Sequence, residues 1–443
     1  MFEIAPLLVV IVMFGGLVLF SVTGHPIAFI MMGLGIIMTL LGVGLNGTYI
    51  FVGRVFDQAS SDTLVAIPLF VLMANFLDRS GIANDLFKAI QYMLGGLKGG
   101  LGITVIILSV VFAASTGIIG AAVVGISLIA MPAMMARGYD KSLSTGLICA
   151  GGSLGILIPP SIMLVMMADQ SGKSVGVLFA GAFIPGFLLA FLFLIYVIVY
   201  SHLHPDRAPG LSEEEIHSIT RSDKLKMFVK SFIPPMVLIA GVLGTIWTGV
   251  ATPTEAAGMG AFITMMLMIL YRRFTWKALW QILLASLKTN CMVMTTMFGA
   301  TIFTGAFMRL KGDVVVRDFI LSFEGIGKWA VFAVMMFLVF IMGFFIDWIG
   351  IIFITFPIFL PIADMLGFDP IWFILIIAVN LQMSFSTPPF GYALFYMNGT
   401  KPPGVTLGHI YKGVVPFICL QMTGMLIMCF FPQIILWLPS LMQ

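Results

Sequence analysis

Two stretches decide how this chain is read. They are Gly151-Gly152-Ser153-Leu154-Gly155-Ile156-Leu157-Ile158-Pro159-Pro160-Ser161 and Asn380-Leu381-Gln382-Met383-Ser384-Phe385-Ser386-Thr387-Pro388-Pro389-Phe390-Gly391. Both are rich in small and hydroxyl-bearing residues, and both carry two adjacent prolines. Adjacent prolines remove two backbone donors and push the preceding residue out of helical geometry. The carbonyls released need new partners, and unwound backbone at membrane depth is tolerated only inside protein or along a cavity. Released carbonyls with Ser and Thr hydroxyls suit a dehydrated hard cation, while a half-helix N-terminus suits an anion. A plain proline kink would account for one such segment; two at matching positions ask for more.

The surroundings place both stretches in a membrane. Of 443 residues, 60% are hydrophobic and 9% charged, with a mean hydropathy of +1.13. Soluble domains carry about 25% charged residues, so this chain cannot cover a water-facing surface. Residues 4–20, 103–112, 175–200, 232–246 and 330–346 are nearly free of charge, and a span takes roughly 20 apolar residues. The ten-residue alternation of an outer-membrane barrel is absent. The expected fold class is an all-α polytopic membrane protein. The net charge of +3 is spread over loops, which gives nucleic acid nothing to bind. Cys149, Cys291, Cys419 and Cys429 lie in apolar stretches without metal-type spacing and read as small hydrophobes. Glu3 stands where a signal peptide would be basic, so residues 6–20 are expected to form a retained first helix.

The two stretches belong to an internal repeat. Pro132, Asp140 and Pro159-Pro160 recur as Pro361, Asp369 and Pro388-Pro389, each 229 residues on. Ile184-Pro185 and Val415-Pro416 correspond with a slip of two. Such self-similarity is the mark of many secondary transporters. Between the halves, residues 201–230 hold ten charges, and Ser212 with Glu215 fits a capping box there.

If residues 101–137 and 328–364 are re-entrant hairpins, threading the chain puts fifteen Lys and Arg on one side and six on the other. The six are Arg54, Lys173, Arg309, Lys311, Arg317 and Lys328. The positive-inside rule makes the richer side cytoplasmic. Residues 201–230 are then a cytoplasmic connector, both termini lie outside, and the hairpins open to opposite faces. The repeat is inverted on that reading.

The hairpin tips are natural partners for the broken segments. Ala113-Ala114-Ser115-Thr116-Gly117-Ile118-Ile119-Gly120 is small and polar within an apolar run, as a turn requires. The second tip falls near Gly343-Phe344-Phe345-Ile346-Asp347. Asp347 is an acid flanked by long apolar runs, which makes it a functional candidate, with a helix cap as the alternative role. Thr252-Pro253-Thr254-Glu255 reads as a structural cap. Gly172-Lys173-Ser174 lacks the first glycine of a nucleotide loop, since position 167 is Met. His25, His202, His204, His217 and His409 fall at loops or span ends, so neither a proton relay nor a metal cluster is expected, and enzyme chemistry has no nucleophile–base pair. The 33 methionines suit irregular helix contacts.

On Ser115-Thr116-Gly117, the Leu154–Ser161 core of the first stretch, residues 252–257, Gly367-Phe368-Asp369-Pro370 and Thr387-Pro388-Pro389-Phe390-Gly391, the chain resembles a known family over nearly its whole length. That family is the large membrane subunit of tripartite ATP-independent periplasmic (TRAP) transporters. The resemblance implies an elevator-type secondary carrier of the bacterial inner membrane, with two re-entrant hairpins and two broken helices. Residues 1–100 and 231–327 would be scaffold. Residues 101–200 and 328–443 would be the transport elements, the latter with a C-terminal helix. It implies a small four-helix membrane subunit and a periplasmic substrate-binding protein as partners. It also implies import of a small organic anion coupled to Na⁺, with no other cofactor.

By position, one Na⁺ site would use Ser115, Thr116, Gly155, Ile158 and Pro160, largely through backbone oxygens. A second would use Asp347 with Ser384, Ser386 and Thr387. Where the family's first tip is often richer in serine, this chain has Ala113 and Ala114. Ser153, Ser161, Asn380 and Thr387 are the candidate cargo contacts. Residues 380–396 resemble a branch labelled for mannitol or chloroaromatic compounds, some members of which look like carriers of 2-oxo or hydroxy acids. A small carboxylate is therefore the expected cargo, with a sulfonate as the alternative. The rival readings are a passive channel and a carrier not coupled to sodium.

Overall fold

A computed structural model describes residues 4–210 and 220–442; the side chains of Ser115, Thr116 and Arg221 lie outside the description. The Ser212–Glu215 capping box also falls outside the described residues. Among the described residues there are twenty α-helices and no strand. The first half runs through α1 (Pro6–Ser21), α2 (Ile27–Gly42), α3 (Thr48–Ala59), α4 (Ala66–Arg79) and α5 (Ile82–Leu94). It continues with α6 (Gly100–Thr116), α7 (Ile119–Ala136), α8 (Lys141–Ser153), α9 (Ile162–Ser171) and α10 (Val175–Leu203). The second half begins with α11 (Arg221–Trp247), α12 (Pro253–Leu270), α13 (Trp276–Arg309) and α14 (Gly312–Leu321). Then follow α15 (Lys328–Met342), α16 (Trp348–Met365), α17 (Pro370–Ser384), α18 (Tyr392–Thr400), α19 (Leu407–Phe430) and α20 (Gln433–Ser440).

Seven helices, α7, α10, α11, α12, α13, α16 and α19, are each long and apolar enough to cross a membrane. The bent pair α3 and α4, at 55°, makes an eighth if taken as one span. The exposed side chains of α1 are apolar, among them Leu7, Ile11 and Leu19, and so are Ile233 and Val237 in the later part of α11, as a surface facing lipid requires; the first turns of α11 expose Asp223, Lys226 and Lys230 instead.

Helix boundaries follow the 229-residue offset. Helices α7 and α16 are both 18 residues long, and their first residues, Ile119 and Trp348, are 229 apart. Lys141 and Pro370, which open α8 and α17, are also 229 apart. Each of those helices is capped by the aspartate before it. Asp140 accepts from Leu143 N at 2.8 Å, and Asp369 from Ile371 N at 2.9 Å and Trp372 N at 3.0 Å. The Pro159–Pro160 and Pro388–Pro389 bonds are both cis. The halves differ where α13 runs 34 residues unbroken and its counterpart is divided into α3 and α4. Ser60-Ser61-Asp62-Thr63 stands at that division, and such side chains compete for backbone hydrogen bonds and end helices.

The core surrounds the helices that lead into the two broken segments. Residues 143–153 of α8 and 372–384 of α17 are buried without interruption. Helix α8 is enclosed by α6, α7 and α19, while α13 packs on α2, α4 and α16. Where α8 crosses α19 the backbones nearly touch: a Cβ on Gly146 would collide with the Gly413 carbonyl, and one on Gly413 with the Ser142 carbonyl. Close crossings through small residues are how helices associate where lipid supplies no hydrophobic drive.

Candidate functional site

The first break follows the end of α8 at Ser153. One 3₁₀ turn, Leu154–Ile156, leads to Pro159-Pro160, and α9 starts after Ser161. The Ser161 hydroxyl donates to Ile156 O at 2.6 Å and accepts from Leu164 N at 3.5 Å, so it closes the break and caps α9. Helices α6 and α7 meet at Gly117, whose φ of +60° favours glycine. A Cβ there would lie 3.1 Å from Ile162 N and 3.4 Å from Ser161 Cα. The first tip therefore rests on the N-terminus of α9, where unpaired N–H groups give a positive end. Gly155, Ile158 and Pro160 lie buried in this break. The backbone of Ser115 and Thr116 forms the last turn of α6, immediately before Gly117; their side chains lie outside the described residues.

The second break repeats the arrangement with side chains in place of close backbone. Asn380 Nδ2 donates to Met336 O and Ser384 Oγ to Phe340 O, both at 2.6 Å, so one face of α17 is tied to α15. A Cβ on Gly343, at the end of α15, would run into the Ser384 hydroxyl. Ser386 Oγ donates to Gln382 O at 3.2 Å and Thr387 Oγ1 to Met383 O at 2.8 Å. In Ser384, Ser386 and Thr387 the hydroxyl proton is thus committed to a carbonyl. The lone pairs remain, and oxygen lone pairs are what a hard cation takes.

Asp347 occupies the N-cap position of α16 and lines a cavity of about 50 Å³ between the two tips. Ile118, Ile119 and Gly120 of the first tip, Met292 and Val293 of α13, and Phe385, Tyr392 and Tyr396 share that lining. Ser384, Ser386 and Thr387 do not line it. The structure therefore groups Asp347 with two tyrosines and the opposite tip. Tyr396 packs against Gly120, where a Cβ would lie 2.6 Å from the ring. Sequence reading passed over Tyr392 and Tyr396; their i, i+4 spacing directly after the second break was the available signal.

The remaining candidate cargo contacts are engaged inside the protein. Ser153 is fully buried, donates to Ala150 O at 2.8 Å, and accepts from Gln382 Nε2 and Gln421 Nε2 at 3.2 Å each. Residues 153 and 382 are 229 apart, so repeat-equivalent positions touch one another. Ser153, Ser161, Asn380 and Thr387 are not part of the lining between the tips.

Apolar helices of spanning length around two hydroxyl-bearing breaks, the first buried and the second exposed at Pro389 and Phe390, define a polytopic α-helical membrane protein of transporter architecture. The same fold is found in the YdaH transporter of Alcanivorax borkumensis, with a TM-score of 0.62 over 88% of each chain at 13% identity. Residues 14–434 match the family "Tripartite ATP-independent periplasmic transporter, DctM component", and the chain belongs to it. It is 30% identical to the C4-dicarboxylate TRAP transporter large permease protein DctM of Pseudomonas aeruginosa, over 87% of this chain and 88% of that one. It is also 30% identical to the isethionate TRAP transporter permease protein DctMQ of Oleidesulfovibrio alaskensis, over 96% of this chain and 65% of that protein. These relatives are transporter permeases, not enzymes.

Proposed function

We propose that this chain is the permease subunit of a Na⁺-driven importer of a small organic acid, working in the bacterial inner membrane with both termini periplasmic. Its cargo is delivered by a periplasmic binding protein, and a small four-helix membrane subunit completes the complex. The observation that carries the reading is the pair of breaks, each met by a glycine tip: Gly117 on Ser161–Ile162 and Gly343 on Ser384. Na⁺ is a co-substrate. One ion is held at the first tip by Ser115, Thr116 and the oxygens of Gly155, Ile158 and Pro160. The other is held by the hydroxyls of Ser384, Ser386 and Thr387. Asp347, Tyr392 and Tyr396 face the cavity between the tips, where the acid is handed over.

Helices α6–α10 and α15–α19 form the moving unit, and α1–α5 with α11–α14 the scaffold. The arms α7 and α16 are long enough to span, but they pair with α6 and α15 of 17 and 15 residues, which favours re-entrant hairpins. The Ser153–Gln382 contact supports a two-fold relation between the halves, because a residue meets its own equivalent where two halves share an axis, and the charge asymmetry of the loops favours the inverted form of it. The small-acid class is supported by relatives whose names carry a dicarboxylate and a sulfonate.

Reconstitution of all three components in proteoliposomes tests this. Uptake is expected only with an inward Na⁺ gradient and loaded binding protein. Uptake that persists with K⁺ in place of Na⁺ would overturn the coupling, and large single-channel currents would replace the carrier with a channel. Thr387→Ala should raise the Na⁺ concentration for half-maximal uptake roughly fivefold, for about 1 kcal/mol lost with one ligand. An unchanged requirement removes that hydroxyl from the site.

A further inference from the structure

A second, larger cavity of about 310 Å³ opens between the scaffold and the moving unit. It touches α13 at Thr301, eight residues beyond Val293 at the tips, which is about 12 Å along the helix. Its chemistry is polar. Asp169 of α9 accepts from Gln58 Nε2 at 2.9 Å, Ser61 Oγ at 2.5 Å and Gln170 Nε2 at 2.8 Å. Two scaffold donors and one from α9 are thus assembled around a carboxylate.

Arg54 stands one helical turn before Gln58 and lines the same space. Its stem lies over Gly305, where a Cβ would be 3.2 Å from Arg54 Cδ. Arg54 is exposed, and its guanidinium makes no hydrogen bond or ion pair with any described residue. A guanidinium without a protein partner, at the mouth of a cavity whose donors already hold one carboxylate, offers a second acid group a partner. Asp57, three residues on and likewise unpaired, faces the cavity too. Arg54, Asp57 and Asp169 are the charged residues of the lining. The charge on Asp169 is held by three donors; that on Asp57 is not.

We propose that this cavity is a separate cargo site, ahead of the tips, that takes a small monoanion with a hydroxyl beside its acid group. Arg54 pairs with the carboxylate or sulfonate, and Asp57 accepts from the hydroxyl. A dicarboxylate is disfavoured because its second charge meets Asp57, the repulsive half of the selection. The incoming anion competes with Asp169 for Gln58 and Ser61, so filling the site unties α9 from α3. Arg54 and Lys173 fall on the less basic side of the chain, the side from which a periplasmic partner delivers. The assignment of α3 to scaffold and α9 to the moving unit rests on the carrier reading above.

The test uses the complete membrane complex in nanodiscs and follows its thermal unfolding midpoint with glycolate or succinate, in NaCl and in KCl. Glycolate should raise the midpoint in both salts, since none of the tip hydroxyls is in this cavity, and succinate should not. Arg54→Gln should raise the glycolate concentration for half the shift about tenfold or more, and Arg54→Lys should recover part of the loss. Asp57→Asn should let succinate act. No glycolate shift in the wild type, an equal succinate shift, or an Arg54→Gln curve that overlays the wild type overturns the proposal. A glycolate shift seen only in NaCl assigns the binding to the tips instead. Failure of the carrier reading would show separately, as Na⁺-independent uptake in proteoliposomes.

Discussion

Ser384 illustrates how much one residue does at the second break. Its hydroxyl proton is tied to Phe340 O at 2.6 Å, and its side chain fills the space that Gly343 leaves. The tip and the break are thus held by a hydroxyl on one side and the absence of a methyl on the other. Gly343→Ala should force the tip from the break at a cost of about 1–3 kcal/mol, as overpacking does. Na⁺-dependent protection of the tip from proteolysis is the measurement, and protection equal to wild type would show that the contact is dispensable for ion binding. The hydroxyls here were singled out from sequence by their place beside Pro-Pro; that each bonds a carbonyl was decided by the fold. The grouping of Asp347 with Tyr392 and Tyr396 was not legible in the sequence: these residues are 45 and 49 positions apart, and only folding both tips toward α13 brings them to one cavity.

At the scale of elements, proline placed the breaks and small residues placed the contacts. Helices α8 and α17 end within the quoted stretches because the Pro-Pro pairs withdraw donors a few residues on. Where those helices pack depends on glycine. Gly146 and Gly413 let α8 and α19 cross at backbone contact. Gly413→Ala should lower the unfolding midpoint of the detergent-solubilised chain, with about 1–3 kcal/mol lost to overpacking. A midpoint within error of wild type would mean that the helices separate at no cost. Gly138 and Gly367, by contrast, meet nothing within 4 Å of an added Cβ, and their positive φ alone accounts for them. The bend between α3 and α4 was not drawn from sequence, although Ser60-Ser61-Asp62-Thr63 carries the local chemistry for it. That bend puts Arg54, Asp57 and Gln58 on one arm, beside Ser61 and opposite α9.

Across the whole molecule, the expected orientation makes a direct prediction. In a variant with its four cysteines replaced, single cysteines at Lys173 and Lys311 should react with an impermeant maleimide in intact spheroplasts. Cysteines at Lys98 and Arg273 should react only after permeabilisation; all four positions are exposed. Labelling of all four from one side would remove the inverted arrangement.

The sequence by itself determined the class, the two halves and the broken segments. Each follows from a local cause: too few charges to face water, a spacing that recurs, and prolines that cannot hold a helix. Tertiary structure alone decided which polar groups converge. Ser153 meets Gln382 and Gln421 in the core, Asp347 meets two tyrosines between the tips, and Asp169 gathers donors from a distant helix. In a chain that is apolar nearly everywhere, no periodic pattern marks inside from outside, because lipid and protein interior read alike. The partners of a buried polar group are then set by how helices cross, and the crossings are set by packing over the whole molecule.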